Sequence, residues 1–432
     1  MLVNGWLMLP HSSGRVRLSR GWLMIEGGVI EALGEGPAPG TADLGGDDAV
    51  ITPGFVDAHL HLPQFDSIGQ DGLPLLKWLE TVIFPAEMRW SDPAYAASMT
   101  RRVIERLIRA GTTSIAAYAT VHHEGSLAAA EELSRSGLRA IVGQVLMDQH
   151  APAELCRPAA RLINEAAAYI DRVEAMKNPR LLASVNPRFA ISCSRELLLG
   201  AGELVQSRGV HMQTHLGETT DECELAVRLH PWAFDDAGRA GEEGGYTRIY
   251  EAAGLLSEKS LLAHGIYLSA QERSIVRGSG CVVAHCPTAN TFLQSGIMPR
   301  REYVRSGIIT AVGSDVAGGP DVSMPRVARA MIDSAKTLAG PAALRRGSAD
   351  GREDDARIPT PARAWWQITR GNAEALGLMN AGHLKVGAEA DVLVVKPGEA
   401  SRWHETPDPL GTLLYAWDDR WLSATVVGGR VA

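Results

Sequence analysis

An α/β architecture is predicted: a (β/α)8 TIM barrel carrying a small β-sandwich domain assembled from both chain termini. Three observations predict it. Short apolar runs rich in Val, Ile, Ala and Leu alternate with longer segments of helical period from Thr52 onward, the pattern of parallel strands joined by crossover helices. Eight such runs can be counted, enough to close a barrel. Both ends of the chain are instead short, glycine-punctuated and β-rich, and neither end buries enough surface to fold alone.

The apolar runs cover residues 51–62, 112–120, 139–148, 181–189, 210–218, 260–268, 280–290 and 308–318. Between them, 92–110, 157–176 and 194–208 place apolar residues at i, i+3, i+4 and i+7, as amphipathic helices do. The charged, Gly- and Ala-rich stretch 339–359 reads as a surface loop. Thr360 followed by Pro361 reads as the N-cap and first residue of a helix running to Ala375. The expected division is residues 1–52 and 379–432 for the two parts of the β-sandwich, with 53–378 as the barrel.

A chain of 432 residues with 45% apolar content sustains a large core. Its net charge of −8, without any block of like charges, offers no electrostatic footprint for nucleic acid or an anionic membrane. A small-molecule partner is expected. No stretch approaches the roughly 20 apolar residues of a membrane span, and the apolar start Met1 to Pro10 has neither a basic leader nor a small-residue cleavage site. A soluble cytoplasmic protein is therefore expected. The five cysteines are scattered, with no C-x-x-C pair, which suits a reducing compartment. Cys281 and Cys286 are read as packing residues on opposite faces of the seventh strand.

Barrels of this class carry their active sites at the C-terminal ends of the strands. The first strand ends in Asp57-Ala-His59-Leu-His61, and a strand's period of two puts His59 and His61 on one face, close enough to share a metal ion. H-x-H alone is weak evidence, since two histidines are often satisfied by ordinary hydrogen bonds. Here the pair has company. The fifth strand ends in His215 with Glu218 three residues on, the sixth carries His264, and the eighth carries Asp315 in Gly313-Ser-Asp315. These make four candidate metal-site groups and two candidate proton-transfer groups. His122, His123, His150, His211, His230 and His383 lack such neighbours and read as structural or surface residues; His285 reads as a packing or supporting residue.

The segments PGFVDAHLHLPQF, LPLLKWLETVIFPAE, AGTTS, VGQVLMDQHAP, NPRFAISCS, HMQTHLGE, LLAHGIYLS, VAHCPTAN and GSDVAGG span residues 53 to 319 in order. The sequence resembles the guanine deaminases of the amidohydrolase superfamily. PGFVDAHLH and GSD are shared across the superfamily, whereas H-L-P-Q (His61 to Gln64), FPAE (Phe84 to Glu87) and PRF (Pro187 to Phe189) look particular to the guanine-deaminase branch. The resemblance implies one zinc ion per chain held by His59, His61, His215 and Asp315, with His264 beside the reacting water and Glu218 shuttling protons to the heterocycle. It also matches the purine-contacting glutamine and arginine to Gln64 and Arg188, with Phe189 forming the pocket beside them and His215 and Glu218 bordering the substrate. Metazoan-type members carry S-E-N where this chain has Gly217-Glu218-Thr219. The glutamate is kept, and only fine packing beside the ring differs.

Three other readings compete. A hydrolase opening a cyclic amide such as dihydropyrimidine usually bridges two metals with a lysine at the end of the fourth strand, and LLASVNPRF has none. A deaminase of pterin or 8-oxoguanine would use the same catalytic groups, and a barrel that has lost catalysis would not need them. For Arg188 the rival reading is a salt bridge across the barrel top. The expected substrate is guanine, and the expected setting is a cytoplasmic homodimer in purine catabolism.

Overall fold

The computed structural model describes residues 1–235, 245–340, 358–398 and 402–432. From the N-terminus come β1 (Leu2–Pro10), β2 (Val16–Glu26), β3 (Val29–Glu35) and β4 (Leu44–Pro53). The barrel strands follow: β5 (Phe55–His61), β6 (Thr112–Tyr118), β7 (Arg139–Gly143), β8 (Val145–Leu146), β9 (Leu181–Pro187), β10 (His211–Leu216), β11 (Ser260–His264), β12 (Val282–His285) and β13 (Ile309–Val312). β14 (Val392–Val395), β15 (Leu422–Val427) and β16 (Arg430–Val431) complete the chain.

The terminal pieces share one sheet in the order β16-β15-β14-β4-β1-β2-β3. β4 from the N-terminal part pairs antiparallel with β14 from the C-terminal part, Val392 opposite Pro53 and Val394 opposite Ile51. Val3, Leu7, Leu23, Ile51, Val392, Val394 and Val426 form its core. This is the small β domain expected from both termini.

The second sheet runs β13-β12-β11-β10-β9-β7-β6-β5, with β8 beside β9. Its registers from β7 through to β13 are parallel. β5, β6 and β7 are buried along their whole length, as strands covered on both faces must be, and in β5 and β6 that burial includes the polar residues Asp57, His59, His61, Thr112, Thr113 and Ser114. The ends meet through two backbone hydrogen bonds, Asp315 N to His59 O at 2.8 Å and His61 N to Val316 O at 3.0 Å. Gly313 permits that approach. A Cβ there would lie 2.7 Å from the His59 Cβ and 2.8 Å from its backbone nitrogen.

The helices expected from periodicity are Pro93–Arg109, Ala159–Ala175 and Arg195–Arg208. In the first, Ala96, Met99, Val103 and Leu107 form the buried stripe. Ser194 caps the last through its side chain to Leu197 N. Thr360 caps Pro361–Trp366 in the same way, and helical structure continues through a π turn to Ala375.

Every barrel strand is shorter than its expected run, and in two the reason is identifiable. Residues 51–62 are divided at Gly54 between β4 and β5, which belong to different sheets. The run 280–290 is strand only as far as His285, because Pro287 supplies the fixed φ and missing N–H that suit the first turn of the helix Pro287–Phe292. Cys281 and Cys286 consequently flank β12 instead of lying within it, and both are buried thiols. The expected loop 339–359 lies almost wholly outside the described residues.

The chain forms two compact units, Met1–Asp57 with Ile104–Ile115 and Asp321–Ala432 in one, and Ala58–Val103 with Ala116–Pro320 in the other. We propose the boundaries near 52 and 378 as the domain division, because strands change sheet between Pro53 and Phe55 and return to the terminal sheet only at Val392.

Candidate active site and metal centre

The site residues all come from the second unit and stand at, or just beyond, the C-terminal ends of their strands. His59 and His61 end β5, His215 lies near the end of β10, and His264 ends β11. Asp315 follows β13 by three residues, in a left-handed conformation (φ 51°) that His264 shares (φ 74°). Aspartate and histidine tolerate that region better than most residues, and it turns both side chains off their strands.

Asp315 Oδ1 lies 3.3 Å from His59 Nε2 and 3.4 Å from His61 Nε2, and His61 Nε2 lies 3.1 Å from His215 Nε2. His215 Nδ1 donates to the Arg188 carbonyl at 2.6 Å, which leaves its Nε2 with a lone pair. Burial, reinforced by repulsion from neighbouring imidazoles, holds His59, His61 and His215 well below the ordinary histidine range, so each ring is neutral. Opposed lone pairs beside a carboxylate are a donor set for a cation. Four ligands at about 2.0–2.1 Å around a tetrahedral divalent metal sit about 3.3–3.4 Å apart, and the separations here match. The donor atoms of His59, His215, His264 and Asp315 also lie within 4.8 Å of one another.

His264 is held differently. Its Nδ1 contacts Asn290 Oδ1 at 3.0 Å, and its Nε2 lies 3.4 Å from Glu218 Oε2 and 3.8 Å from Asp315 Oδ2. Burial alone would lower this ring, but the Glu218 and Asp315 carboxylates outweigh it and raise it above the ordinary value. Burial also raises the Glu218 carboxyl and pushes Asp315 up to about 6.

Glu218 is reached through Gly217, whose φ of 62° turns the chain sharply after β10. Ser295 Oγ donates to its Oε1 at 2.9 Å. Glu222 accepts from its backbone N at 2.8 Å and closes a capping box with Thr219, so the following helix anchors the carboxylate.

A pocket opens over this cluster. His61, His215, His264, Asp315 and Glu218 border it on the metal side, while Gln64, Arg188 and Phe189 border it elsewhere with Leu75, Trp78 and Leu79 as apolar wall. Every residue expected at the site is thus brought together here, His59 lying behind His61 in the cluster.

Four supporting residues escaped the sequence reading. Glu87 binds both Arg188 and Gln64. Tyr118, at the end of β6, packs against His61 in a tilted arrangement with ring centroids 4.6 Å apart and meets His59 and His215 at 5.3 and 5.1 Å. Asn290 and Ser295 hold His264 and Glu218. Tyr118 and Glu87 carried a signal, one by its strand-end position and the other as an acid within an apolar run.

The Amidohydrolase family model matches residues 50–432. This chain belongs to the amidohydrolase family. It is 32% identical over 389 residues to guanine deaminase of Dictyostelium discoideum, covering 88% of this amidohydrolase and 82% of the relative. It is 30% identical over 428 residues to guanine deaminase of Escherichia coli, covering 95% and 90%. Its fold superposes on guanine deaminase from C. acetobutylicum, solved with guanine in the active site, with a TM-score of 0.88 at 26% identity, covering 100% and 99% of the two chains. Among the described residues of this amidohydrolase no helix is long and apolar enough to cross a membrane.

Proposed function

We propose that this amidohydrolase is a guanine deaminase, converting guanine and water to xanthine and ammonia. The observation that carries the reading is one buried pocket with two chemically different walls, a metal-donor cluster with Glu218 on one side and Gln64 with Arg188 on the other. Its similarity to guanine deaminases over most of the chain supports the same substrate and does not favour pterin or 8-oxoguanine.

The ion is read as a single zinc held by His59, His61, His215 and Asp315, because His264 is tethered between Asn290 and Glu218 whereas the other three rings are neutral and converge. When bound, such an ion is a Lewis acid that lowers the pKa of water to about 7. Asp315 accepts the proton of the attacking water, and His264, whose Nε2 lies 3.8 Å from Asp315 Oδ2, orients that water. Glu218 donates a proton to N3 as the new bond forms at C2, is recharged with the proton that Asp315 took from the water, delivers it to the amino group as that leaves as ammonia, and regains a proton from the new C2 hydroxyl as it becomes the carbonyl. Trp78, Leu79 and Phe189 exclude bulk solvent from a planar heterocycle.

Arg188 combines both readings of it. Nη1 is spent on Glu87, yet Nη2 and Nε make no hydrogen bond to a described residue and remain to meet the O6 carbonyl. Adenine presents an amino donor there, so two donors would oppose each other, a mismatch that sites of this kind reject by about 10⁴ or more. Arg188→Leu is expected to raise the guanine KM strongly and to narrow the gap between guanine and 2-aminopurine in kcat/KM. Gln64→Ala is expected to weaken guanine more mildly, since a neutral pair is worth about 0.5 to 1.5 kcal/mol. An unchanged substrate ranking in Arg188→Leu would reduce Arg188 to its ion pair.

The direct test is release of xanthine and ammonia from guanine by the purified, metal-loaded protein, and a tenfold preference for pterin or 8-oxoguanine would overturn the substrate. The reading extends to a homodimer in the cytoplasm serving purine catabolism. Five scattered cysteines without a C-x-x-C pair fit a reducing compartment, and sedimentation of the purified chain measures the assembly.

A further inference from the structure

The FPAE segment has no part in the chemistry above, yet it reaches the site. It forms the short helix Phe84–Met88, on which Phe84 and Glu87, three apart, share a face. The Arg188 guanidinium carbon lies 5.5 Å from the centre of the Phe84 ring. Glu87 receives Arg188 Nη1 on both oxygens, at 2.7 and 2.6 Å, and its Oε1 also accepts Gln64 Nε2 at 3.1 Å. Gln64 Oε1 accepts from Ala317 N at 3.4 Å. Gln64, Glu87 and Arg188 are only 2%, 3% and 3% exposed.

Two consequences follow from this chemistry. The Gln64 amide cannot flip without turning its oxygen onto the Glu87 carboxylate, so its orientation is set before any ligand arrives. The Arg188 charge is also matched inside the protein. Without Glu87 the pocket would present an uncompensated buried cation, which would attract an anion. We infer that Glu87 is a positioning and specificity-determining residue, which presets the two purine-reading side chains and restricts the pocket to neutral oxo-heterocycles by cancelling the Arg188 charge.

This inference rests on the reading of Arg188 and Gln64 as substrate contacts. The product is a useful probe, because xanthine loses a proton to become an anion more readily than guanine does. In wild type, product inhibition should weaken as the pH rises from about 6.5 to 8.5 and the anion accumulates, since a matched pocket has no use for the charge. Glu87→Gln should raise the guanine KM about 10- to 100-fold, the usual effect of disturbing a hydrogen bond to a charged group, while kcat changes much less. Its xanthine inhibition should tighten by at least about tenfold and grow stronger with rising pH, the reverse of wild type. A merely structural role would not reverse that trend.

Glu87→Asp keeps the charge but shortens the reach, and so supplies the answer should Glu87→Gln fail to fold. It should raise the guanine KM yet keep the wild-type direction of the pH trend. A wild-type KM and trend in Glu87→Gln, or a reversed trend in Glu87→Asp, would overturn the inference. Arg188→Leu separates this from failure of the underlying reading. If Arg188→Leu leaves guanine binding intact, the substrate contact itself is wrong; if it raises KM while Glu87→Gln does not, only the role of Glu87 is.

Discussion

Glu218→Gln is expected to bind metal and guanine within a few-fold of wild type and to lose about 10²- to 10⁴-fold in kcat. The amide is nearly isosteric with the carboxylate, and its oxygen can still accept the Ser295 hydroxyl that lies 2.9 Å from Oε1. It cannot take up and release a proton. Ground-state contacts therefore survive while the step that protonates the ring and the leaving amine is lost, so the effect falls on kcat and leaves KM nearly unchanged. The measurements are steady-state xanthine formation, equilibrium guanine binding and metal content on the same preparation. Near-normal turnover would move the proton shuttle to His264, the other titratable side chain within 3.4 Å.

The second large effect concerns the metal. Wild type should carry one tightly held divalent ion per chain, and His59→Ala, His61→Ala and His215→Ala should each lose it together with turnover. Removing a residue that merely supports a ligand typically costs 10- to 100-fold in affinity or activity, as an order of magnitude, and loss of a ligand should exceed that. The fold should survive, because most of the barrel core is apolar and lies away from the site histidines: Ile115, Ala116 and Ala117 in β6 and Ala140, Ile141 and Val142 in β7, for example, are buried. His264→Ala discriminates between the two possible donor sets. If His61 is the ligand, His264→Ala retains the ion and loses kcat; if the ion leaves with His264, the set His59, His215, His264 and Asp315 is the true one. Elemental analysis beside far-ultraviolet circular dichroism decides it, and two stoichiometric ions in wild type would overturn the single-metal site.

The barrel and the residues of its mouth were legible in the sequence because both obey short-range rules. Strands covered on both faces are rich in apolar residues, and functional residues of such barrels stand at or just beyond the C-terminal ends of the strands, so His59, His61, His215, His264 and Asp315 announce themselves by position. Element ends were less legible. The sequence 280–290 reads as one apolar run, and only the geometry of Pro287 converts its second half into helix. The least legible features were pairings between distant segments. Glu87 and Arg188 are 101 positions apart and Ser295 and Glu218 are 77 apart, so no local pattern could couple them. Tyr118 illustrates an intermediate case: its position at a strand end was visible, but its ring contact with His61 depends on how neighbouring strands are staggered.

The two hydrogen bonds that join the segment after β13 to β5 involve the residues that flank or furnish the proposed metal donors, Asp315 to His59 and His61 to Val316. On that reading the closing seam of the barrel and the metal centre are one object. More than half of the chain lies between its two edges, and a ribosome adding roughly 5–20 residues per second needs tens of seconds to supply the second edge after the first. During that interval the nascent protein has histidines but no centre, and the ion cannot be captured in its final form until the last strand docks. Held by His59, His61 and Asp315, a bound ion would tie the first strand to the last, so that the free energy of metal binding would oppose opening of the ring. Depleting the ion should loosen this edge ahead of the remainder, and the amides of His61 and Asp315 should be among the first in the barrel to exchange with deuterated solvent.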